Sequence, residues 1–163
     1  MSRRPVLACG LAAAAARLAY AALTRRPPAG PKTWTRTNHR GEPVTLLEGP
    51  AVAAGAVMAT LIAPGLCARG RAALAVAGVG AGAFGCYDDL AGSGARRGFR
   101  GHLGALAGGE VTSGAVKIAG IGASGMAVAV MLGGTIPDQA INAGLVAGGA
   151  NLLNLFDLRP GRA

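Results

Sequence analysis

The chain has 163 residues and a net charge of +9, yet only 14% of its residues are charged and 52% are hydrophobic. An ordinary soluble domain carries about a quarter charged residues, so the composition excludes that class, and long apolar runs exclude a disordered chain. The apolar share is mostly Ala, Gly, Val and Leu, with 4% aromatic, which suits helices packed closely through small residues in lipid.

The sequence predicts an all-α, polytopic membrane bundle of about five transmembrane helices, each of about 20 residues. One integral membrane domain over 1–163 holds them all. The first span covers about 5–23. Its basic start and small residues resemble a signal peptide, but Arg17 interrupts the apolar run and favours a transmembrane helix. The second covers 50–66 and is short, with Pro64 near its end. The third covers 72–88 and ends on Gly85-Cys86-Tyr87-Asp88-Asp89-Leu90. The fourth covers 112–133 and the fifth 136–156, both Gly-rich. The widely spaced Cys9, Cys67 and Cys86 form no CxxC pair and read as small apolar residues.

The connecting segments fix the expected orientation. Arg25, Arg26, Lys32, Arg36, Arg40, Arg96, Arg97, Arg100, Arg159 and Arg162 lie on one side of a five-span protein; Arg3, Arg4, Arg69 and Arg71 lie on the other. Positive loops face the cytoplasm, which places the N-terminus outside in a multi-pass protein of the cell membrane. The charge thus reads as topology; no aromatic-rich basic face suggests nucleic acid. Asp88 and Asp89 then sit at the cytoplasmic mouth of the third span. Arg17 and Lys117 lie inside spans, near enough to that face to snorkel toward it. Asn151, Asn154 and Asp157 end the fifth span at the same face. Intramembrane ionisable groups are costly and mark a functional site by default. Trp34 and Tyr20 fit interfacial anchors, and Glu42 and Glu110 read as solvated loop charges.

Adjacent carboxylates repel unless a cation intervenes. Mg²⁺ takes one or two carboxylates and completes its shell with substrate phosphates. Arg and Lys beside such a site hold phosphate oxygens. At a membrane face this chemistry suits phosphoryl transfer between a soluble nucleotide compound and a lipid phosphate.

GCYDDL resembles the GxxDD motif of the polyprenyl-phosphate N-acetylhexosamine-1-phosphate transferases, the family that includes the phospho-N-acetylmuramoyl-pentapeptide translocase. NLLNLFD (151–157) resembles that family's NxxNxxD. TNHRGEPVTLLEGP (37–50) resembles its first basic loop, and GFRGHLGAL (98–106) with TSGAVK (112–117) suits its next loop and span. The resemblance covers about residues 20–163. It implies the N-terminal half of a multi-span fold with its active site on the cytoplasmic face. The implied reaction moves an N-acetylamino-sugar 1-phosphate from a UDP-sugar to undecaprenyl phosphate with Mg²⁺, an early step in building a cell-wall or other envelope glycan. By the same resemblance Asp88 is the base or nucleophile, Asp89 its partner toward lipid phosphate or metal, and Asp157 a Mg²⁺ or nucleotide-sugar ligand. Asn151 and Asn154 orient Asp157. Lys117, Arg36 and Arg40 hold phosphates, and His39 and His102 are further substrate-binding candidates.

Three features depart from the family. Pro160 stands where its pattern has a second Asp, the first-loop Gly pair becomes Glu48-Gly49, and its later spans, further Asp and His-rich loop have no counterpart in these residues. The alternative from another class is a non-catalytic membrane subunit or a small transporter. Small-residue helix faces also permit a homo-oligomer or a partner chain.

Overall fold

The computed structural model describes residues 3–38, 40–92 and 98–156; for 3–5, 98–100, 103 and 153–156 it describes the backbone alone. Among the described residues there are six α-helices: α1 (Arg3–Arg25), α2 (Glu48–Ile62), α3 (Ala68–Ala91), α4 (Gly98–Ala107), α5 (Ser113–Leu132) and α6 (Ile136–Phe156). The expected apolar segments all fall on helices, and two of those helices are long and apolar enough to cross a membrane: α1, over Val6–Arg25, and α5.

The all-α expectation needs one correction. The first connector holds a 3-10 turn (Pro31–Trp34) and two short strands, β1 (Thr35–Thr37) and β2 (Pro43–Thr45), paired antiparallel with Arg36 opposite Val44. Five residues link the strands. Asn38 shapes the link: its side-chain oxygen accepts from the Arg40 and Glu42 amides, and Gly41 adopts a φ of 80°. Asn and Gly suit such turns, one by bonding its own backbone and the other by tolerating positive φ. The connector between α3 and α5 holds α4, where a plain loop was expected. Finally, α2 stops at Ile62, short of residue 66, because Ala63 precedes Pro64 and is extended.

The helices pack in serial order: α1 on α2, α2 on α3, α3 on α5, α5 on α6. Close approaches give the direction of each pair. Gly55 and Glu48 of α2 meet Ala16 and Tyr20 of α1, Gly78 and Gly82 of α3 meet Val57 and Ala53 of α2, and Gly120 and Ser124 of α5 meet Phe84 and Gly80 of α3. As one index rises the other falls, so each pair is antiparallel. The same end of the layer therefore holds the end of α1, the start of α2, the end of α3 and the start of α5. Gly125 against Ala143 fixes α6 on α5; about twelve residues on, at equal rise per residue, the last turn of α6 returns to the level of Ser113.

Side-chain size runs from small inside to large outside. The buried residues include Ala51, Gly55, Ala73, Gly114, Gly120, Gly125 and Ala129, and among the described residues no large side chain is fully buried. Outward-facing residues include Leu18, Val52, Val79, Val130, Ile141 and Leu145, the last 67% exposed. A monomer in water rarely exposes so much contiguous apolar surface.

Helix ends are closed by side chains. Thr112 caps α5 by accepting from the Ala115 amide, and the Cys67 sulfur accepts from Gly70 at the start of α3. Arg71 donates to the carbonyls of Thr60, Leu61 and Leu66, closing the end of α2. Hydrogen bonds from a charged donor contribute about 1.5–3 kcal/mol. Arg71→Ala is therefore expected to destabilise the protein by about 2 kcal/mol, measured by thermal unfolding in detergent, with Arg69→Ala as a near-neutral control.

Candidate functional site

Asp88 ends α3 on the face turned to α5. Its two carboxylate oxygens have separate partners: the Ser113 hydroxyl donates to Oδ1 at 2.8 Å, and the Lys117 ammonium donates to Oδ2 at 3.3 Å. Ser113 and Lys117 are four residues apart, so α5 presents both on one face. The pair is half-buried, with side-chain exposures of 18% for Lys117 and 26% for Asp88.

Asp89, the next residue, is exposed. Its carbonyl accepts from the Arg36 guanidinium at 3.2 Å. Arg36 also donates to the carbonyls of Thr33 and Thr35. Its described hydrogen bonds thus go to backbone carbonyls and tie the connector to the end of α3. His102 of α4 lies across the start of α5. Its Nδ1 is 2.9 Å from the Thr112 hydroxyl, and its ring fills the space where a Cβ on Gly114 would stand. Arg40 is exposed at the hairpin turn.

The structure therefore brings Arg36, Asp88, Asp89, His102 and Lys117 to one end of the layer by direct bonds. Asn151 and Asn154 lie near the end of α6, placed at that level by the helix register, with Asn151 exposed. His39 and Asp157 lie outside the described residues. Ser113 was not singled out from the sequence. Its signal was the i, i+4 spacing to Lys117 on an otherwise apolar helix.

Two expected anchors have other roles. Trp34 is buried and its indole N–H donates to the Pro28 carbonyl at 2.7 Å, folding the connector on itself. The Tyr20 hydroxyl donates to the Glu48 carboxylate at 3.4 Å, between α1 and α2. Glu42 accepts from the Asn38 amide and so helps close the hairpin.

As a metal centre the described residues are incomplete. Among them no three His, Cys, Asp or Glu side chains gather into a cation site, and Lys117 already neutralises Asp88. What remains is an aspartate fixed in orientation by two donors, a second carboxylate beside it, and Lys32, Arg36 and Arg40 on the first connector. Set against known proteins, the chain matches no family model, no curated protein and no solved structure.

Proposed function

We propose that this chain works in an integral membrane transferase that moves an N-acetylamino-sugar 1-phosphate from a UDP-sugar to polyprenyl phosphate at the cytoplasmic face. The observation that carries the reading is the Asp88 carboxylate, oriented by Ser113 and Lys117 at the end of the layer where the connectors bear their cations. The outward-facing large residues support a lipid setting for the whole layer, α2, α3 and α6 included, although α2 has only 15 residues. The excess of Lys and Arg on the connectors at the site end supports a cytoplasmic site and an external N-terminus.

In this reading Asp88 acts as base or nucleophile toward phosphate. Lys117 sits within reach of the same phosphate and balances the charge on Asp88 while the site is empty. His102 fixes α4 across the first turn of α5 and so shapes the wall beside Ser113. The family chemistry calls for Mg²⁺, which would stabilise charge on the diphosphate. Asp89 and Asp157 are the carboxylates for it, donor phosphates completing the shell.

One observation favours a second reading, a non-catalytic membrane subunit. Both oxygens of Asp88 are already partnered, as in an ion pair that serves only to join two helices. The deciding experiment is transfer of radiolabelled sugar phosphate from UDP-GlcNAc to undecaprenyl phosphate by the purified protein, with Mg²⁺ or with EDTA. Lipid product that needs Mg²⁺ is the expected result. A folded protein that gives none supports the subunit.

The orientation makes a separate prediction. Cys67 is exposed at the far end of the layer from the site. In whole cells, an impermeant maleimide should label Cys67 in a chain carrying Cys9→Ala and Cys86→Ala. A cysteine-free chain with Thr37→Cys should label only after permeabilisation. The opposite pattern would invert the topology.

A further inference from the structure

We propose that Arg36 is a positioning residue that latches the β1–β2 hairpin onto the C-terminal end of α3, and that the hairpin so held takes the diphosphate of the soluble nucleotide-sugar donor. The ligand half rests on the transferase reading above; the latch rests on geometry alone.

The connector is well bonded within itself. The Trp34 indole donates to Pro28, the Leu46 amide donates to the Trp34 carbonyl at 2.8 Å, β1 pairs with β2, and Asn38 closes the turn. These bonds fix the hairpin's shape but not its place, since they stay within residues 27–47. The bond from Arg36 to Asp89 crosses 53 residues of sequence to reach a helix. The Asp89 carbonyl belongs to the last turn of α3, where carbonyls lack helical partners and the helix dipole is negative. A guanidinium is suited to this place: its planar fork serves several carbonyls at once, whereas a lysine offers a compact point charge.

The latch acts beside the site because Asp89 is the neighbour of Asp88. The hairpin lies on the connector side, beyond the helix ends. Arg40 is exposed at its turn, and Lys32 is exposed in the 3-10 turn before it. A water-soluble diphosphate reaches these cations without entering lipid, whereas a polyprenyl phosphate arrives along the helices. Paired cations hold phosphate oxygens through charge-assisted bonds. The hairpin is therefore matched to the donor, and Arg36 contributes by placement.

The test is amide hydrogen exchange on the full chain in lipid nanodiscs, comparing wild type, Arg36→Lys and Arg36→Ala. Without ligand, exchange at the Asn38, Gly41 and Leu46 amides should rise about tenfold in Arg36→Ala and less in Arg36→Lys, with α2 and α5 unchanged. UDP-GlcNAc should slow the hairpin amides in wild type and leave them unslowed in Arg36→Ala; undecaprenyl phosphate should not slow them in either. Hairpin exchange at the wild-type rate in Arg36→Ala would overturn the latch. Slowing by undecaprenyl phosphate instead of UDP-GlcNAc would overturn the donor assignment. If neither ligand alters exchange anywhere in the chain, the transferase reading falls and takes the ligand half with it, while the ligand-free comparison still decides the latch.

Discussion

Asp88→Asn is expected to lower sugar-phosphate transfer by about a thousandfold or more, in keeping with the loss of a positioned acid–base or nucleophilic group. The amide has nearly the same shape and still accepts from Ser113, so the fold should survive. It breaks the Lys117–Asp88 ion pair, however, and that costs some stability, about 1 kcal/mol for a pair partly open to solvent. A double variant, Asp88→Asn with Lys117→Met, separates the two effects. It should regain the thermal stability lost in Asp88→Asn while transfer stays absent. Near-normal turnover in Asp88→Asn would remove Asp88 from the chemistry.

Gly55→Leu is the second large effect. A Cβ at Gly55 would stand 2.7 Å from the Ala16 backbone nitrogen and 2.8 Å from its Cα. Backbone atoms cannot rotate aside, so α1 and α2 must separate. Overpacking costs about 1–3 kcal/mol where side chains can adjust, and this site belongs at the upper end. The contrast is Gly144→Ala on α6, where nothing lies within 4 Å of the added Cβ. There the methyl favours the helix by about 0.5–1 kcal/mol, unless the face is covered by another chain. Unfolding measured for both variants should show opposite signs.

How much of this could be read from the sequence depended on the range of the forces involved. The apolar runs of α1, α5 and α6 are long enough that helix and run nearly coincide. The second run overshot because the effect of Pro64 on Ala63 was underweighted. Helix α4 was hidden by its glycines at 98, 101 and 104, which weaken any local helical signal; it is held instead by His102 packing against Gly114. The hairpin showed only in the turn chemistry of Asn38 and Gly41, inside a short basic stretch. At the site, Asp88 and Lys117 were legible because charges near the ends of apolar helices stand out. The bond from Arg36 to the Asp89 carbonyl was not legible, since a loop arginine gives no sign of a partner 53 residues away.

The serial packing of the helices has a consequence for how the protein is made. Each of α2, α3, α5 and α6 packs on a helix already completed when it leaves the ribosome. Helix α3 packs first on α2 and gains its larger contact when α5 arrives. Assembly can therefore proceed in the order of synthesis, one antiparallel hairpin at a time, with contacts short in sequence and rapid to close. Asp88, near the end of α3, emerges before its partners Ser113 and Lys117. The site is completed only when α5 turns back along α3.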